Sequence, residues 1–123
     1  MPTDLQLILE DRPGQFAAVA EALGKARINI EGGCGVITDG QFVIHVLVED
    51  VAAALEALDR VGLMVNAENE AIVLTVEDKP GELGRIARKA ADADLNLNFC
   101  YLATSTRLVV GADDLEKLAA ALR

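Results

Sequence analysis

Glu10-Asp11-Arg12-Pro13-Gly14 returns 67 residues later as Glu77-Asp78-Lys79-Pro80-Gly81. Each copy follows a short run rich in branched residues, Leu5-Gln6-Leu7-Ile8-Leu9 and Ile72-Val73-Leu74-Thr75-Val76, that reads as a strand. In each copy proline fixes one φ and glycine is free to take a positive one, so the chain can turn sharply out of the strand. A helix is predicted directly afterwards. Phe16, Val19, Ala20 and Leu23 recur at i, i+3, i+4 and i+7, and Leu83, Ile86, Ala87 and Ala90 repeat that stripe.

The register extends beyond the loop. Asn29 lies fifteen residues after Gly14, and Asn96 fifteen after Gly81, each between aliphatics: Ile28-Asn29-Ile30 and Leu95-Asn96-Leu97. A strand is expected to start at each Asn, running from Ile28 to about Val36 and from Leu95 to about Ala103. Thr38-Asp39-Gly40 reads as a hairpin into Gln41–Val48, and Thr104-Ser105 as a tighter one into Thr106–Val110. Asp50-Val51 through Ala57-Leu58 matches Asp114-Leu115 through Ala121-Leu122 at an offset of 64, giving each half a second helix. Leu63–Glu68 is expected to close the first half, and the second half shows no counterpart before Arg123. A loop, an Asn and a helix in register twice point to a tandem duplication. The fold class is therefore α+β: two ferredoxin-like modules with antiparallel sheets, βαββαβ over residues 1–69 and βαββα over 70–123, the second without its last strand.

Composition narrows the function. The chain has 123 residues, 52% hydrophobic and 25% charged, enough for a core. Twenty acidic against eleven basic residues, a net charge of −9, argue against nucleic-acid and anionic-membrane partners. No apolar run approaches the ~18 residues of a membrane span. Met1-Pro2-Thr3-Asp4 lacks the features of a signal peptide, so Cys34 and Cys100 are expected to be reduced thiols in the cytoplasm. Phe42-Val43-Ile44-His45-Val46-Leu47-Val48 is apolar on both faces, and a module of about 60 residues is marginal alone. Packing between modules and a homodimer are expected.

A strand ending in Asp-x-Pro-Gly, an amphipathic helix and an Ile-Asn-Ile opening resemble the ACT domain, a small-molecule sensing module. The likeness spans nearly the whole chain and is to the stand-alone tandem ACT proteins. It implies reversible binding of a free amino acid, usually at a junction between modules. It implies regulation through oligomeric state or through a regulated enzyme or regulator, without catalysis and without a cofactor or metal. The residues suit that role. A helix start offers backbone N–H groups and partial positive charge to a carboxylate. The resemblance implies contacts at Asp11, Arg12, Pro13, Gly14, Gln15 and Phe16, and at Asp78, Gly81, Glu82 and Leu83. It implies further contacts at Asn29 with Ile30 and at Asn96 with Leu97. Asp11 and Asp78 could face the ammonium; each loop could equally be a plain turn with its Asp as a cap, and each Asn could simply bond neighbouring backbone.

Two features divide the halves. Glu31-Gly32-Gly33-Cys34-Gly35 has almost no side-chain bulk, which suits close approach of a ligand or another backbone and favours the first loop. Asn98-Phe99-Cys100-Tyr101 is bulky, so its aromatics either line a pocket or fill it. Without its last strand the second module would leave Ile72–Val76 as an open edge, to be covered by Leu63–Glu68 or by another subunit. His45 with two distant cysteines makes a thin metal set, and neither cysteine has a basic neighbour in sequence to activate it. An acylphosphatase-like use of Arg12 and Asn29 is weakened by Lys79 in the copy and by the acidic loop. The rival from another class is an interaction module that binds no ligand.

Overall fold

The computed structural model describes residues 2–123. The elements follow as β1(Thr3–Glu10), α1(Gln15–Lys25), β2(Gly32–Thr38), β3(Gln41–Val48), α2(Val51–Arg60), β4(Ala67–Glu70), β5(Ile72–Thr75), α3(Glu82–Asp92), β6(Phe99–Ala103), β7(Arg107–Gly111) and α4(Leu115–Leu122). They gather into two compact units, one running to Asn69 and one over Glu70–Arg123. In the first the strand order is β4-β1-β3-β2, and in the second β6-β7-β5. The ladders β1–β3, β2–β3, β5–β7 and β6–β7 are antiparallel. The architecture is thus α+β with antiparallel sheets.

Alternation along the strands builds each core. Leu5 and Leu7 of β1 and Ile44, Val46 and Val48 of β3 point to the face that packs on Val19 and Leu23 of α1 and on Ala54 and Leu58 of α2. In the second unit Leu108 and Val110 of β7 meet Ile86 and Ala90 of α3 and Leu118 of α4. The helix stripes enter the core one step late. Phe16 and Leu83, the first residue of each, stay 48% and 41% exposed beside the loops.

Several strand limits differ from expectation. β2 and β6 begin at Gly32 and Phe99, three residues past Asn29 and Asn96. The reason lies at the preceding helix ends. Arg27 and Asp94 take left-handed φ of 60°, Ile28 N–H donates to Leu23 C=O at 2.9 Å and Leu95 N–H to Ala90 C=O at 3.0 Å. These are Schellman stops, whose following apolar residue folds back on the helix. Ile28 and Ile30, like Leu95 and Leu97, then reach their cores and leave each Asn exposed between them.

The closing strand of the first unit lies at Ala67–Glu70 rather than Leu63–Glu68. Leu63 and Val65 pack against the core, and Asn66 N–H donates to Gln6 C=O at 2.7 Å before the ladder begins. β4 runs beside β1, so this segment does not cover Ile72–Thr75, which stays at the edge of its unit with β7 as its ladder partner. The second hairpin is longer than the first, not tighter. Asp39 and Gly40 form a two-residue turn with both φ positive, whereas Thr104, Ser105 and Thr106 intervene between Ala103 and Arg107. The drop in offset from 67 to 64 residues comes from the strands: β6 and β7 have 5 residues each where β2 and β3 have 7 and 8.

Candidate functional site

Both Asp-x-Pro-Gly loops end in a glycine that starts a helix with left-handed backbone, Gly14 at φ 90° and Gly81 at φ 89°. A Cβ at either would meet nothing within 4 Å, so φ and not close packing demands glycine there. Neither α1 nor α3 has a side-chain cap, whereas Asp50 caps α2 by accepting from Ala53 N–H at 3.1 Å and Asp114 caps α4 by accepting from Lys117 N–H at 3.0 Å. The reading of Asp11 and Asp78 as helix caps is therefore not what these helices use. Asp11, Arg12, Pro13 and Gly14 are exposed, and so are Asp78 and Gly81.

The first turns of the two helices differ in charge. α1 has no acidic residue there, and Gln15, oriented to satisfy both groups, accepts from Arg12 Nε at 3.1 Å. Arg12 also pairs with Glu10 at 3.0 Å in the open. At the position corresponding to Gln15, α3 carries Glu82, only 7% exposed, which accepts from Arg85 Nε and Nη2 at 2.8 and 3.1 Å. That hydrogen-bonded guanidinium, helped by its charge and by the Glu77 backbone N–H, holds the Glu82 carboxyl below its ordinary value. The start of α3 is thus already supplied with an internal carboxylate, and the start of α1 is not.

A groove of about 300 Å³ opens beside the second loop, lined by Asp78, Lys79, Glu82, Leu83, Leu102 and Thr106 among others. Its size is at the lower limit of small-molecule sites. Lys79 is paired with Glu77 at 3.0 Å, so the free charge of this groove is negative.

Within a unit the loop and the Asn are not brought together. α1 and α3 span eleven residues each, about 16 Å of helix, and separate Gly14 from Asn29 and Gly81 from Asn96. Asn29 lies instead in a depression of about 200 Å³ with Glu31, Glu49 and Asp50, at the start of α2. Asn96 is exposed; its neighbour Asn98 donates to Asp113 at 2.9 Å.

The glycine-rich strand has a structural cause. A Cβ on Gly33 would lie 2.3 Å from the His45 carbonyl oxygen, and one on Gly35 would lie 2.6 Å from the Phe42 ring. Close approach here is by the neighbouring strand. In the second unit the aromatics fill space: the Phe99 ring occupies the place a Cβ on Gly111 would need, and Tyr101 is 7% exposed with its ring 6.2 Å from that of Phe99. Cys100 lines an apolar cavity of about 90 Å³ with Leu97, Leu108 and Val110, and burial pushes its thiol up.

A buried polar cluster escaped the sequence reading. Asp4, fully buried, accepts from His45 Nδ1 at 2.8 Å and from Asn69 Nδ2 at 3.0 Å. His45 also stands directly opposite Cys34, so that cysteine does have an imidazole beside it in space. The two-residue Asp39-Gly40 turn was the available signal, because it fixes which residues face each other across β2 and β3. Among the described residues no group of three His, Cys, Asp or Glu side chains is placed to hold a metal, and no helix is long and apolar enough to cross a membrane.

No family model and no curated protein matches the sequence. Solved structures do. The chain is similar to the protein BT0572 from Bacteroides thetaiotaomicron, with TM-score 0.84 and 21% identity over 98% of this chain and 85% of that one. It is similar to the ligand-free regulatory subunit of aspartate kinase from Thermus thermophilus, with TM-score 0.71 and 22% identity over 99% and 88%. The aspartokinase alpha and beta subunits give 0.69 and 16% over 98% and 89%. At these identities the likeness is one of fold, and the fold is of the ACT type.

Proposed function

We propose that this chain is a regulatory sensor that reversibly binds a free amino acid, built as two tandem ACT-like modules of which the second ends without a closing strand. The carrying observation is the start of α1: uncapped, free of acidic residues in its first turn, and flanked by Arg12 and Gln15. A ligand carboxylate there meets the N–H groups of Gly14, Gln15 and Phe16, with Asp11 available to the ammonium. Asn29 with Ile30, and Asn96 with Leu97, lie at the far end of their own helices, so they serve a ligand held by the loop of a second molecule. The second loop, with Asp78, Gly81, Glu82 and Leu83, offers an acidic groove and takes the cationic end of a ligand. The likeness to a regulatory subunit of aspartate kinase supports a regulatory and non-enzymatic role. Binding acts by favouring one assembly, a homodimer or a complex with a regulated enzyme, over another.

Thermal unfolding at fixed protein concentration, scanned against the twenty amino acids, tests this. One amino acid at a hundred times its dissociation constant should add about 2.7 kcal/mol of stability. The gain should vanish in Arg12→Ala together with Gln15→Glu. A flat response to all twenty at millimolar concentration overturns the reading.

A second reading has its own observation. Ile8 and Val36, 38% and 56% exposed, flank Val43 on the face of the first sheet turned away from the helices. Such a strip suits an interaction module that binds no ligand. It predicts oligomerisation indifferent to every amino acid.

A further inference from the structure

Cys34, His45 and Asp4 stand on the three adjacent strands β2, β3 and β1 and share the face turned away from the helices. Cys34 and His45 are direct cross-strand partners, which puts their Cβ atoms about 4.5–5.5 Å apart. On the other side Asp4 pairs with Leu47 and Gln6 with His45, so Asp4 is diagonal to the imidazole and bonds its Nδ1 at 2.8 Å. Asp4 is itself fixed, fully buried and bonded to Asn69. In its neutral form an imidazole that donates from Nδ1 to a carboxylate carries its acceptor lone pair on Nε2. A nucleophile, a histidine and an acid that orients the histidine form the general arrangement for drawing a proton off a thiol. Access is also provided: Cys34 is exposed, and its same-face neighbour along β2, Gly32, has no side chain to cover the sulfur.

We propose that Cys34 is a nucleophilic thiol, with His45 as its proton acceptor and Asp4 as the positioning residue, and that it is modified by low-molecular-weight disulfides. The thiol proton passes to His45 and the Cys34 sulfur attacks one sulfur of the disulfide. The S–S bond of the reagent breaks, a mixed disulfide forms at Cys34, and the departing thiolate takes up the proton. The Cys34 sulfur rises from the thiol to the disulfide level while the departing sulfur of the reagent falls from the disulfide to the thiol level, and the other half of the reagent stays bonded to Cys34. The site is independent of the amino-acid site, since it lies on strands and not on the loops.

Cys100 is the internal control, an apolar-lined thiol with no histidine opposite it: its cross-strand partner is Val110. The full chain is incubated with oxidised glutathione, and the mixed disulfide at each cysteine is followed by peptide mass, both natively and in urea. Native Cys34 should react about tenfold or more faster than native Cys100, and faster than Cys34 of the unfolded chain. His45→Gln should bring the Cys34 rate down about tenfold while Cys100 keeps its native rate. Asp4→Asn should slow Cys34 and shift the His45 tautomer seen by nitrogen NMR. A native Cys34 no faster than the unfolded one overturns the proposal without any variant having to fold, and so does a Cys34 rate unmoved by His45→Gln.

Discussion

Gln15 and Glu82 occupy corresponding positions 67 residues apart, and the difference between them separates the two loops chemically. Ala18 likewise corresponds to Arg85, so the whole carboxylate–guanidinium pair of α3 is absent from α1. Installing that pair with Gln15→Glu and Ala18→Arg should leave the fold intact and abolish stabilisation by the amino-acid ligand, read as a midpoint that no longer moves on titration. In α3 the pair has its own signature. Glu82 is held below its ordinary value by Arg85, so it binds fewer protons in the folded state than in the unfolded one. Its contribution is present above the unfolded value and is lost as pH falls through the lowered folded one. Urea unfolding of wild type and Glu82→Gln should therefore differ at neutral pH and converge in acid. The glycines separate by mechanism too. Gly14→Ala meets open space and costs only the left-handed backbone, roughly 1–2 kcal/mol. Gly33→Ala meets the His45 carbonyl oxygen at 2.3 Å, so a strand must shift, and the loss should be the larger of the two in the same assay.

At the scale of elements, three helices end in the same Schellman geometry with different residues at the left-handed position. Gly62 after α2 suits it, with φ 76°, whereas Arg27 after α1 adopts φ 60° against its preference and Asp94 after α3 takes the same φ as a residue that tolerates it better. Arg27→Gly should stabilise the chain by roughly 0.5–1 kcal/mol, measured by urea midpoint, because the strain relieved exceeds the added freedom of the unfolded chain. This is also where the sequence was hardest to read. Helix starts were legible because Pro and Gly mark them and a 3.6-residue stripe follows. The stops at Arg27 and Asp94 carry no glycine, so the branched residues at Ile28 and Leu95 read as strand starts. The candidate site was legible as a loop, since Asp-x-Pro-Gly needs only local chemistry. The fifteen-residue spacing with a helix in between already puts each Asn a helix length from its own loop. The facing of Cys34 and His45 is latent in the Asp39-Gly40 turn, and distance along the chain does not show it.

On the scale of the whole chain, the two units are unequally provided for. Among the described residues the first has four strands, and a core that includes Leu5, Leu7, Val19, Leu23, Ile44 and Leu58, all at most 1% exposed. The second has three strands and fewer such side chains in its core, Val110 and Leu118 among them. It is shorter than the ~60 residues at which a domain buries only about 60% of its unfolded surface. Its β5 also keeps an unpaired edge within the unit, a row of backbone groups with no ladder partner on that side. Residues 2–69 made alone should therefore give a cooperative urea transition, and Leu23→Ala in that fragment should cost about 2–5 kcal/mol, the range for emptying a closed core site. Residues 70–123 made alone should lose their amide protection by hydrogen exchange at far lower denaturant, without a sharp transition. A fragment 70–123 as cooperative as its counterpart would show that three strands and two helices suffice here and that the β5 edge is no liability.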